Sequence, residues 1–121
     1  MSEKKSIIKD KSFAFAIRIV RLYQYLIESK KEFVLSKQLL RSGTAVGALV
    51  REAQNAESTK DFIHKLGIAQ KECDETMYWL ELLKETDYLR NKEFESINSE
   101  ALELLKMLRS AIITMKKKSN S

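Results

Sequence analysis

The chain has 121 residues, 44% apolar and 32% charged, with a net charge of +5, three glycines, one cysteine and no proline. That length holds one domain with one core, and the apolar share excludes a disordered chain. So few turn-forming residues argue against a sheet protein and favour an all-α fold, while a lone cysteine excludes an internal disulfide and fits a reducing cytoplasm.

Ser12 reads as the cap of a first helix reaching about Lys30, with Phe13, Ala16, Ile17, Val20, Tyr23 and Ile27 at helical spacing on the inner face. The residues "SKKEF" read as a short connection. A second helix spans about Leu35 to Asn55, with Leu35, Leu39, Val46, Val50 and Ala53 on one face. Ser58 followed by Asp61 resembles a capping box and opens a third helix ending near Glu85, with Phe62, Leu66, Ala69, Cys73, Met77 and Leu80 inward. After the break "TDYLRN", a fourth helix from about Glu93 to Lys117 turns Phe94, Ile97, Ala101, Leu104, Leu108, Ile112 and Met115 inward. Four amphipathic helices with short links pack most simply as an antiparallel up-down-up-down four-helix bundle. The expectation is one domain over residues 1–121, with flexible ends at about 1–10 and 117–121.

The first helix carries more apolar surface than a bundle requires. Its apolar side chains cover an arc of roughly 220°, where a third to a half of the circumference is enough. Phe15, Ile19, Leu22 and Leu26 form a second stripe away from Phe13, Ile17 and Val20, and Ile68, Trp79 and Leu82 form a similar one on the third helix. Surplus apolar stripes mark partner surfaces, so Phe15, Leu22, Leu26, Ile68, Trp79 and Leu82 are expected to make contacts between copies of the chain. The competing reading is that longer loops or the N-terminal arm, with Ile7 and Ile8, cover them.

Charge is uneven. Residues 1–41 carry ten Lys or Arg against four Asp or Glu, residues 42–109 carry nine against thirteen, and the tail adds Lys116, Lys117 and Lys118. The basic residues Lys11, Arg18, Arg21, Lys37, Arg41 and Arg51 are candidates for neutralising nucleic-acid phosphates, with Tyr25 placed to stack on an unpaired base. The alternative is that they pair with Glu52, Glu72 or Glu75 across an interface.

Catalytic motifs are lacking. The stretch "RSGTAVGALVREAQNAES" places Gly43 and Gly47 four apart, but without the Gly-Lys-Ser/Thr ending or preceding strand of a phosphate loop. Small residues at that spacing serve helix packing instead. One histidine, His64, with Asp61 three residues before it, cannot supply the paired Glu-x-x-His motifs of a di-metal bundle. Cys73 and His64 lie nine residues apart on one helix, about half a rotation out of phase, so they do not form a nucleophile pair. The expectation is a non-enzymatic protein with no cofactor, no metal and no small-molecule substrate. The apolar run Phe13–Ile17 is far too short for a membrane span or an export signal, which points to the cytoplasm.

The stretches "SFAFAIRIVRLYQYL" and "KEFVLSKQLLRSGTAVGALVREAQNAESTKDFIHKLGIAQKECDETMYWLELL" resemble the four-helix bundle proteins encoded in intervening sequences of 23S ribosomal RNA genes. The resemblance implies a bundle that assembles as a homopentamer and carries no enzymatic activity. It also implies kinship with the accessory variability proteins of diversity-generating retroelements, which bind nucleic acid and a reverse transcriptase. The family pattern is close to "TSVGANVREA"; here Ala45 and Leu49 replace its serine and asparagine. Gly43, Gly47, Arg51, Glu52 and Trp79 match positions that the resemblance marks as structural or interface. The implied partners are other copies of the chain, and RNA, including ribosomal RNA, or a nucleic-acid-processing protein. The alternative is a scaffold that docks an acidic protein through its basic surface.

Overall fold

A computed structural model describes the backbone of residues 3–119 and the side chains of residues 7–119. It contains four helices: α1 (Glu3–Glu28), α2 (Leu35–Gln54), α3 (Thr59–Glu85) and α4 (Asn91–Ser119), with no strand among the described residues. Each helix packs on the next in the chain, and α4 closes on α1 along the loosest of the four seams. This is an all-α, antiparallel four-helix bundle. No helix among the described residues is long and apolar enough to cross a membrane.

Three helices lie close to the spans that periodicity predicts. At α3 the cap is the expected one: the Ser58 hydroxyl accepts from the Asp61 amide at 3.0 Å. Removing this acceptor in Ser58→Ala is expected to cost about 1 kcal/mol, read as a lowered midpoint in urea unfolding. The same helix ends with Asp87 in the left-handed region (φ 68°), where the Asp87 and Tyr88 amides donate back to the Lys84 and Leu83 carbonyls. That arrangement satisfies the last turn's free acceptors.

The start of α1 differs from expectation. Ser12 is no cap: it lies well inside the helix, buried, and its hydroxyl donates to the Lys9 carbonyl at 3.1 Å. The polar residues before it contain no helix breaker, and a serine hydroxyl bonded back to its own helix is tolerated there. Residues 7–10, expected to be a flexible end, are therefore helical, and Ile8 joins the core. Met1 and Ser2 of the expected N-terminal flexible end, and residues 120–121 of the C-terminal one, lie outside the described residues, while α4 continues through Lys117 to Ser119.

The core is built from Phe15, Ile19 and Leu26 of α1, Leu39, Val46 and Val50 of α2, Leu66, Leu80 and Leu83 of α3, and Ile97, Leu104 and Leu108 of α4. Within it, the buried hydroxyl of Thr76 meets that of Ser42 at 3.0 Å across the α2–α3 seam and donates to the Glu72 carbonyl at 2.7 Å, so both burials are compensated. Gly43 and Gly47 set the α1–α2 distance. A Cβ on Gly43 would lie 2.8 Å from the Ile19 side chain, and one on Gly47 would lie 3.1 Å from the Ser12 carbonyl oxygen.

Candidate interaction surface

The two apolar stripes of α1 take the opposite places to those expected. Phe15 and Leu26 are 2% and 0% exposed, so neither offers a surface to a partner, while Leu22 is half-buried at the margin of the core. The face turned outward carries Phe13 (55% exposed), Ile17 (47%) and Val20 (36%). Periodicity measures how much of a helix is apolar but not which side the neighbours cover. Here the notch at Gly43 receives Ile19, and that fixes the rotation of α1. On α3, Ile68, Trp79 and Leu82 are half-buried. The Trp79 indole N–H donates to Glu75 at 3.0 Å and the ring stands edge-on to Tyr78, 5.0 Å between centroids.

Beside the outer stripe of α1 lies a cleft of about 680 Å³, lined in part by Ala16, Thr44, Gly47 and Ala48 and by charged side chains that include Lys9, Glu52, Asp61 and Lys65. Small side chains on both helices leave this groove open. Phe13 and Arg51 form its edge, with the Arg51 guanidinium 5.7 Å from the centre of the Phe13 ring, within reach of a cation–π attraction. A second, more apolar cleft of about 570 Å³ lies where the start of α1 meets the end of α4, between Ile7, Ile8, Phe62, Met107, Ala111 and Met115.

The six basic residues singled out in the sequence do not converge on one patch. Lys11 pairs with Glu103 of α4; Arg18 pairs with Glu100 at 3.1 Å and donates to Ser96 at 2.8 Å. Both thereby bridge the loose α1–α4 seam. Arg41 bridges α2 to α3, with Glu72 at 3.2 Å and Glu75 closer still. Hydrogen bonds to Glu72 and Glu75 hold the Arg41 guanidinium above its ordinary pKa, and the Trp79 N–H holds the Glu75 carboxyl low, against the effect of burial and with help from Arg41. Lys11, Arg18 and Arg41 are thus committed to carboxylates of their own chain. Such exposed pairs add little stability. Even so, a phosphate would have to displace a carboxylate at each one.

Arg21 (bonded to Gln24 at 3.3 Å), Lys37 and Arg51 remain exposed without an ion pair among the described residues. A further basic stripe, which the sequence reading missed, runs along the outer face of α4 through Lys106, Arg109 and Lys116, all exposed. Spacings of three and seven residues put them on one side of the helix, and that was the signal available.

Two residues tested for chemistry have plain roles. His64 is exposed. Cys73 is fully buried, its thiol 3.2 Å from the Ala101 carbonyl, and burial, with Asp74 nearby and Arg109 opposing, pushes its pKa up to about 12. A thiol held protonated and out of water does not react. The native protein is expected to leave Cys73 unlabelled by a maleimide over hours and to label fully in denaturant; rapid native labelling would show that the core opens. Among the described residues no group of three His, Cys, Asp or Glu side chains is placed to hold a metal ion.

Comparison with known proteins accords with this geometry. No curated protein matches the chain. A crystal structure of a protein of unknown function from the S23 ribosomal protein family of Bacteroides thetaiotaomicron matches with 55% identity and a TM-score of 0.89, over 90% of this chain and 97% of that one. The family model described as 23S rRNA-intervening sequence protein matches residues 4–110. With nearly the whole bundle inside that match, this chain belongs to the 23S rRNA-intervening sequence protein family.

Proposed function

We propose that this protein is a non-enzymatic bundle that assembles with copies of itself and presents repeated basic surface to nucleic acid. The observation carrying the reading is the outer face of α1, where Phe13, Ile17 and Val20 stay exposed in a chain whose core is already complete without them. Contiguous apolar side chains on an exposed helix face mark a contact with another protein surface. Family membership favours another copy of the chain as that partner, and the resemblance implies five copies in a ring. Repetition turns the modest basic stripe of Lys106, Arg109 and Lys116 into a multivalent surface, so weak phosphate contacts add through avidity.

Sedimentation at micromolar concentration is expected to give a single species several times the mass of one chain, and a monomer would reject the assembly. Fluorescence anisotropy with a structured RNA is expected to show binding that falls steeply with salt and weakens in the paired variant Lys106→Ala, Arg109→Ala. No binding at low salt would reject the nucleic-acid role. A second reading is a scaffold for an acidic protein helix, favoured by the placement of Arg51 directly against the apolar edge at Phe13. Its mark would be a pull-down that survives nuclease treatment and returns a protein other than the bait.

A further inference from the structure

Gly67 has no reason within its own chain to be glycine. It sits in the interior of α3, and a Cβ built there meets nothing within 4 Å, in contrast to the tight contacts at Gly43 and Gly47. Glycine at such a position costs a helix about 1 kcal/mol relative to alanine. The stripe it begins continues through Lys71, Asp74, Tyr78 and Glu81, at spacings of four, seven, eleven and fourteen residues. All four of these side chains are exposed, Tyr78 by 58%. Toward the end of α3 the stripe is acidic, with Asp74, Glu81 and Glu85.

The outer stripe of α1 offers a projecting ring for the open space at Gly67 and cations for the acids beyond Lys71. Phe13, Ile17 and Val20 project, and the exposed cations Arg21 and Arg51 flank them. In an up-down-up-down bundle α1 and α3 run in the same direction on opposite corners, and among the described residues they meet only through core side chains such as Ile8 and Leu66, without the close backbone approach of neighbouring helices. Phe13 and Gly67 also lie at the same end of the bundle, since Gly47 packs on Ser12 and Glu52, further along α2, pairs with Lys65. One chain cannot bring these two faces together, whereas two copies side by side can. The exposed apolar residues of α4, Leu102 and Ile113, are a poorer match, because Lys106, Arg109 and Lys116 beside them carry the same sign as Arg21 and Arg51.

We propose that the Phe13–Ile17–Val20 stripe of one copy packs along the Gly67–Tyr78 stripe of α3 in a second copy, with the open space at Gly67 receiving Phe13 and with Arg21 meeting Asp74. The proposal rests on the self-association reading and names its contact. Such an interface is head-to-tail: each copy uses a different face for each neighbour, and the contact closes into a ring when the rotation allows.

The test uses the full chain. Gly67→Leu fills the open space, and Phe13→Glu buries a charge at the same place. Each is expected to weaken association by about tenfold or more in sedimentation, with helical content kept, because neither position is packed in the single chain. Arg21→Glu is expected to weaken association too, and adding Asp74→Lys is expected to restore it. In the paired variant Ile17→Cys, Lys71→Cys, a short bismaleimide is expected to join copies into a ladder on a denaturing gel, since the native Cys73 is buried. An assembly that keeps its full mass in Gly67→Leu and yields no ladder would overturn this pairing and leave self-association standing. A wild-type monomer at micromolar concentration would overturn both.

Discussion

Gly43→Ala is expected to destabilise the bundle by about 1–2 kcal/mol, although alanine is the better helix former by about 1 kcal/mol. The added methyl would lie 2.8 Å from both Cγ1 and Cγ2 of Ile19 and 3.0 Å from its Cδ1. Ile19 is fully buried and β-branched, so it has no free rotamer into which to retreat. Gly47→Ala meets the Ser12 backbone at 3.1 Å, a contact that a shift of a few tenths of an ångström relieves, and a net change near zero is expected. Ile19→Ala alone empties a core position and is expected to cost about 3–4 kcal/mol. The double variant Gly43→Ala, Ile19→Ala removes the clash along with the isoleucine and keeps the helix preference of alanine, so its loss is expected to fall short of the sum by about 2–3 kcal/mol. Urea unfolding of the four proteins closes the cycle. Additive losses would mean that Ile19 does not occupy the notch at Gly43.

The same notch explains what the sequence could and could not reveal. Spans of α2, α3 and α4 follow from local signals: the Ser58 cap, the spacing of Leu39, Val46 and Val50, and the lysines that end α4. The rotation of α1 does not, because its apolar residues surround most of the helix and the deciding contact belongs to α2. Phe15 and Leu26 were therefore expected at an interface and lie in the core, while Phe13 and Ile17 were expected in the core and lie outside. The basic residues pose the same problem at longer range. Arg18 meets Ser96 across 78 residues of chain, and Lys11 meets Glu103 across 92. No local pattern announces such pairs, since they depend on which helices are neighbours and at what height. By contrast Gly67 was legible only as one of three glycines, and its oddity became visible once the other two had been accounted for by close contacts.

Glu32 lies in a connection that looks plain in the sequence, yet it organises the turn between α1 and α2. Its amide donates to the Leu26 carbonyl at 3.0 Å, ending α1, just after Lys31 adopts a left-handed backbone (φ 55°). Its carboxylate then accepts the amides of Val34 at 3.2 Å, Leu35 at 3.0 Å and Ser36 at 2.6 Å, the free donors at the start of α2. Val34 itself offers no side-chain cap, so Glu32 takes that role from outside the helix. Negative charge at this end also suits the helix dipole. Burial alone would raise the carboxyl's pKa; the three amides outweigh it, and the pKa lies below the ordinary value. A group whose pKa is lower folded than unfolded adds stability above the unfolded value of about 4.3 and loses it as pH falls through the folded value. Glu32→Gln is therefore expected to lose about 1–2 kcal/mol at pH 7, since a neutral amide offers one acceptor oxygen and no charge. The gap between the two proteins is expected to stay constant from pH 8 to about pH 6 and to narrow below about pH 4. Chemical unfolding across that range measures it, and a gap as large at pH 3 as at pH 7 would show that the ionised carboxylate is not what holds the start of α2.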